Sequence, residues 1–387
     1  MTFDLTSLGW DGHFAGHYAG YDGPHRRPAR VMRVDRGVCT VLAEAGSVRA
    51  SLAGSILAAA AHDPTVLPCT GDWVVIHTWP DRRVTVESVL PRRGAVVRAG
   101  AGAGPAEVLA ANLDVAAVVE PLDPTPDAAR IERLLALASS AGARPVLILT
   151  KADLVADSAL IAAQLAGSAP AVPVHRVSAR TGDGLPDLRR YLTRGRTLGL
   201  LGPSGAGRSS LVNALAGTTA MTTSALRGDG RGRHTTTLRT LVPLPGGGVV
   251  IDIPGLRAVG LISAADGLDR AFADVLALAG GCRFGDCRHR AEPDCAVRNA
   301  VETGVLSPRR LASWRSLRRE QSAGARRRQD RMTGRQGRPR PDRGRTDADP
   351  DRPDPEPDRL DSTRGRADGQ SCRTSRIQLL RHPRRGA

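Results

Sequence analysis

Lysine is almost missing from this sequence: Lys151 is the only one among 55 Lys and Arg residues, a drift to arginine that runs along the whole chain. Aromatic residues are scarce at 3%, although a hydrophobic fraction of 41% is enough for real cores. No apolar run approaches the ~20 residues of a membrane-spanning helix. The N-terminus MTFDLTSLGWDGHF carries Asp4 and Asp11 and lacks the basic-then-apolar layout of a secretory signal. These absences argue against a membrane partner and make the cytoplasm the expected location. Internal repeats are absent as well.

Positive charge is in excess. The net charge is +16 and the pI near 11.0, a balance that points to a polyanionic partner, most often nucleic acid. Residues 321–387 carry +8 of it, from 18 Arg against 10 Asp and Glu, so the first 320 residues carry the other +8. The basic character is not confined to the tail.

At 387 residues the chain exceeds one typical domain of roughly 100–200 residues. Residues 1–28 show no periodicity and read as an irregular N-terminal segment. Residues 29–98 hold short alternating runs, ARVMRV, VCTVLA, SVRASLA, DWVVIHTW and RRVTVESVL, which fit an OB-like β-barrel of about five strands. From Leu113 continuous apolar strands alternate with helices, the pattern of a parallel sheet covered on both faces. That α/β domain is assigned to residues 99–268. A small helical, cysteine-rich domain follows at 269–320, and the Arg, Asp and Pro-rich tail 321–387 is expected to be disordered.

Four motifs in the α/β region carry chemistry. GPSGAGRSS runs from Gly202 through Pro203, Ser204, Gly205, Ala206 and Gly207 to Arg208, Ser209 and Ser210. Its spacing is that of the phosphate loop G-x-x-x-x-G-K-[ST], after an apolar strand and before a helix. TKAD (Thr150, Lys151, Ala152, Asp153) matches the guanine motif, in which Asp153 accepts two hydrogen bonds from the guanine N1–H and 2-amino group; adenine cannot supply that pair. Ser178 and Ala179 of VSAR end the next strand as the guanine-backing motif does. In DIPG, Asp252 is placed to hold Mg²⁺ through water and Gly255 to touch the γ-phosphate. Between the phosphate loop and DIPG, GRGRHTTT is a flexible segment whose Thr235 and Thr236 can supply nucleotide and Mg²⁺ contacts, with Ser209 as a further Mg²⁺ ligand. Together they define a P-loop GTPase, in an unusual order. TKAD and VSAR precede the phosphate loop, so the domain is circularly permuted and the DIPG switch leads directly into the C-terminal segment.

The stretch GCRFGDCRHRAEPDCAV places Cys282, Cys287, His289 and Cys295 in a C-x4-C-x-H-x5-C array. Three thiolates and one imidazole make the closed tetrahedral set of a structural zinc site, with no position left for water. Cys39 and Cys69 lie in apolar strand contexts as small core residues, and Cys372 lies in the tail.

Taken together, these motifs over residues 29–318 resemble the RsgA (YjeQ) family of small-ribosomal-subunit biogenesis GTPases. The resemblance implies an OB-fold, a permuted GTPase domain and a zinc domain. It also implies GTP hydrolysis during late maturation of the small (30S) subunit, stimulated by that subunit, with binding to ribosomal RNA. GTP with Mg²⁺, one structural zinc, a monomeric state and cytoplasmic location belong to the same expectation. Two departures matter: the tail, and Arg208 at the phosphate-loop lysine. The wider guanidinium can displace the β/γ-phosphate bridge that a lysine makes, leaving either a slower GTPase or a nucleotide-switched RNA-binding factor with little turnover. Leu256 stands where many GTPases carry a water-orienting Gln, so intrinsic hydrolysis should be slow without a partner. His234 is one candidate substitute, or else a contact to phosphate or RNA.

Overall fold

Within residues 1–28, expected to be irregular, the computed structural model contains helix α1 (Gly12–Tyr18) and the start of strand β1 (Arg26–Asp35). Asp11 caps α1 by accepting from the His13 N–H. Trp10, Phe14 and Tyr18 recur every four residues, a helical spacing hidden in the sequence by the intervening Gly and His. Phe14 and Leu8 are fully buried, and Trp10 meets Trp73 edge-on at 4.8 Å. The lead-in is thus part of the core. The structure describes residues 2–98, 106–169, 171–221, 239–254 and 265–332.

Strands β1, β2 (Val38–Ala43) and β3 (Gly46–Leu52) are followed by helix α2 (Gly54–His62), β4 (Trp73–Thr78) and β5 (Val84–Val89). They close in the order β1-β2-β3-β5-β4, with β3 and β5 parallel and the other pairs antiparallel. This is the expected five-stranded barrel. Residues two apart along a strand face the same side, and Ala29 with Val31, Cys39 with Val41 and Val74 with Ile76 fill its interior. The next strand, β6 (Ala95–Arg98), has left the barrel and pairs with β7 (Glu107–Ala111).

The second layer begins at β8 (Val115–Pro121) and continues through α3 (Ala128–Ser140), β9 (Arg144–Thr150), α4 (Ser158–Ser168) and β10 (Val174–Arg176). Helix α5 (Leu185–Arg189), β11 (Thr197–Leu201), α6 (Arg208–Ala216), β12 (Thr240–Pro243) and β13 (Val249–Ile253) complete it. The sheet order is β10-β9-β8-β11-β13-β12, parallel except for β12. Both faces are covered. Ala116 and Val118 of β8 pack in the cluster that contains Leu134 and Leu135 of α3. Val115, Ala117 and Val119 pack with Leu211, Val212 and Leu215 of α6. The sequence did not predict β12, because Pro243 and Pro245 mark it as loop. An edge strand tolerates proline since one side needs no donor.

Helices α7 (Ala265–Ala271), α8 (Ala273–Ala279), α9 (Ala296–Glu302) and α10 (Pro308–Met332) close the described chain. Ser307 caps α10 by accepting the Arg310 N–H at 3.2 Å, and Pro308 fits the first helical turn. Order was expected to end at Glu320, yet α10 continues to Met332. The residues EQSAGARRRQDRM lack proline and are mostly good helix formers, so nothing stops the helix there. Two buried arginine-centred ties hold the parts together. Arg30, fully buried, donates to the carbonyls of Leu8, Gly71 and Asn112, which joins the N-terminal segment, the barrel and the α/β layer. Burial pushes its guanidinium down to about 10. Glu132 on α3 accepts from Arg309 at 2.9 Å and from Arg310 at 3.1 Å, and Arg310 also holds Asp274 on α8. Glu132→Ala would strand part of that buried positive charge, so it should cost about 3 kcal/mol in equilibrium denaturation. A loss under half of that would mean the tie is not what fixes α10.

Candidate functional site

β11 ends at Leu201 and the chain turns through Gly202–Gly207 into α6. Gly205 and Gly207 have φ of +81° and +82°, a left-handed backbone that favours glycine. Gly202 has a different reason: a Cβ there would lie 2.2 Å from the Val119 carbonyl oxygen. Pro203 and Ser209 are partly exposed, Ser204 and Ser210 exposed, and Ala206 buried. The loop therefore leads into the N-terminus of a nine-residue helix, where unpaired backbone N–H groups and the helix dipole favour anions.

The base motifs sit beside this loop. Thr150 ends β9 and donates its hydroxyl to the Ala206 carbonyl at 2.6 Å, which ties TKAD to the phosphate loop. Lys151 takes a left-handed backbone (φ 60°) and donates through Nζ to the Asp123 carbonyl at 2.9 Å. The Ala152 N–H donates to the Val177 carbonyl at 3.1 Å, so TKAD and VSAR are directly bonded. Asp153 accepts from Arg180 Nε at 2.8 Å. The Ser178 hydroxyl and then Arg180 hold its carboxyl below the usual carboxylate range. Arg180 was not singled out from sequence, although it is the last residue of VSAR. Ser178 is buried and Ala179 partly so.

Arg208 does not extend out of the loop. It is buried; Nε donates to Asp252 Oδ1 at 2.7 Å, and Nη1 donates to the carbonyls of Gly202 and Pro203. Ser209 Oγ lies 3.4 Å from Asp252 Oδ2. Asp252 reaches this place because β13 runs parallel to β11, with Asp252 level with Leu200. The hydroxyl and carboxylate expected to serve Mg²⁺ are therefore adjacent. His234, Thr235, Thr236, Gly255 and Leu256 lie outside the described residues.

A second centre stands between α8 and α9. The ligand atoms of Cys282, Cys287, His289 and Cys295 all lie within 4.8 Å of one another. His289 Nδ1 is 3.5 Å from both Cys282 Sγ and Cys295 Sγ, and those sulfurs are 3.9 Å apart. With Zn–S near 2.3 Å and Zn–N near 2.0 Å, tetrahedral edges are about 3.8 Å for S···S and about 3.5 Å for S···N. The donors fit. Burial pushes His289 down, toward the neutral form that a metal ligand needs, and Arg315 donates to its backbone carbonyl. Cys39 and Cys69 are buried within the barrel and beside β7, as expected of core residues.

A sheet with a phosphate loop after its fourth strand, and the TKAD and VSAR segments at the ends of strands that come earlier in the chain, defines a circularly permuted P-loop GTPase. The RsgA GTPase family model matches residues 89–262. A small ribosomal subunit biogenesis GTPase RsgA from Streptomyces coelicolor is 48% identical over 321 residues, covering 82% of this chain and 86% of that one. One from Syntrophotalea carbinolica is 40% identical over 327 residues, with 82% and 89% covered. The crystal structure of YjeQ from Thermotoga maritima superposes with a TM-score of 0.55 at 25% identity, over 75% of this chain and 96% of that one. The chain belongs to the RsgA GTPase family.

The close pass of Gly202 under Val119 gives a direct check on the loop. Gly202→Ala should destabilise the fold by about 1–3 kcal/mol through overpacking, read as a lower denaturation midpoint. An unchanged midpoint would mean β8 can yield at that point.

Proposed function

We propose that this protein is a GTP-hydrolysing factor of small ribosomal subunit biogenesis, docking on ribosomal RNA and stimulated by the subunit. The observation that carries the reading is the bonding of the guanine motif to the phosphate loop, Thr150 to Ala206, in a chain of this family. Gly202–Ser210 wrap the phosphates with backbone N–H groups at the start of α6. Asp153 reads the guanine N1–H and 2-amino group; Arg180, its present partner, is largely exposed and free to swing away. Lys151 supports the base plane, and Ser178 and Ala179 back it. Ser209 and Asp252, with Thr236 and Gly255, serve the magnesium and γ-phosphate side. When bound with GTP, Mg²⁺ neutralises charge that develops on the phosphate oxygens.

The net charge of +16 supports an RNA partner. Cys282, Cys287, His289 and Cys295 hold one structural zinc that folds the segment between α8 and α9. The protein acts as a cytoplasmic monomer; among the described residues no helix is long and apolar enough to cross a membrane.

Phosphate release from GTP should rise on the order of tenfold or more on adding purified small subunits; no rise would remove the ribosomal reading. Asp153→Asn should weaken GTP and favour xanthosine triphosphate, whose 2-oxygen accepts from the new amide. Equal affinity of the unmutated protein for ATP and GTP would sink the guanine assignment. Metal analysis should find about one zinc per chain, and Cys287→Ser should unfold the 282–295 segment while leaving nucleotide binding largely intact. Protein purified without chelators and free of metal would count against the zinc.

A further inference from the structure

Arg208 occupies the position of the phosphate-loop lysine, and its donors are committed within the site. Nε, midway along the side chain, holds Asp252 Oδ1 at 2.7 Å, while Nη1 reaches the Pro203 carbonyl at 2.7 Å and the Gly202 carbonyl. The other carboxylate oxygen faces Ser209 Oγ at 3.4 Å. Arg208 is 8% exposed and Asp252 1%, so water screens the pair weakly. A lysine could not do this. Its single ammonium sits at the tip of an apolar stem, so it cannot satisfy the loop carbonyls and also grip Asp252 with a donor halfway along.

Resting on the nucleotide reading above, we infer that Arg208 is a built-in cation on Asp252 that competes with Mg²⁺ for this carboxylate. A carboxylate already matched by a buried positive charge attracts a divalent cation less, and the two cations repel each other across it. This chain therefore needs more magnesium to tighten its nucleotide than the same chain with lysine at 208. Arg208 and Asp252 act as a unit, so the effect of changing one depends on the other.

The test titrates fluorescent GDP against the full chain from chelated to millimolar magnesium. The chains compared are unmutated, Arg208→Lys, Arg208→Met, Asp252→Asn and the Arg208→Lys/Asp252→Asn double variant. Arg208→Lys should lower the magnesium concentration for half-maximal tightening roughly tenfold, a coupling of about 1.4 kcal/mol. Arg208→Met, which keeps the stem and removes the charge, should shift it the same way. On the Asp252→Asn background the lysine effect should shrink to within about twofold. Matching magnesium profiles for the unmutated, Arg208→Lys and Arg208→Met chains overturn the inference, whether or not Asp252→Asn folds. So does a lysine effect that survives undiminished without Asp252. If the unmutated chain binds no GDP at saturating magnesium, the nucleotide reading fails and takes this inference with it.

Discussion

The site depends on β11 lying parallel between β8 and β13. Leu198–Leu201 run level with Val115–Val118 on one side, and Thr197–Leu201 with Val249–Ile253 on the other. Parallel neighbours bring their C-terminal ends to one edge, which is where open α/β sheets bind ligands. The Gly202 turn, the Thr150 hydroxyl and the Asp252 carboxylate all stand at that edge. None of this depends on the order in which the chain visits the strands. TKAD and VSAR come ahead of the phosphate loop in the chain, yet the strands that carry them end at the same edge as β11.

What could be read from the sequence follows from how each feature is buried. The five barrel strands alternate because one face is buried, and the parallel strands are continuous apolar runs because both are; each pattern has its own period. The Cys282, Cys287, His289 and Cys295 cluster and the phosphate-loop spacing could be picked out because each lies in a short stretch. Features that depend on distant partners were not. Helix α1 is specified by Trp10 and Phe14 meeting Trp73, some sixty positions later. Arg30 reads as one more arginine until the fold places three carbonyls around it. Strand β12 is hidden by prolines that only an edge position tolerates.

Arg208 shows the limit most clearly. Sequence marks it as a departure and suggests a guanidinium displaced near the β/γ-phosphate bridge. The structure turns it inward, onto a carboxylate 44 residues away in sequence. That partner could not be read from spacing, because it comes from the adjacency of β11 and β13. The local motif defines the cradle; the sheet decides where its cation goes.

The same adjacency bears on how the barrel meets the site. Thr70, just before β4, donates its hydroxyl to the Arg239 carbonyl at 3.2 Å, and Arg239 pairs with Glu107 on β7 at 2.7 Å. Arg239 leads directly into β12, and β12 pairs with β13 so that Thr240 stands opposite Asp252. A residue at the entry to the barrel's β4 thus anchors the residue just ahead of the strand that flanks the proposed magnesium carboxylate. On the other side of the site, chain from β13 continues to α7–α10, which Glu132 locks onto α3. The Asp252 strand is thus tied toward the barrel through its neighbour β12.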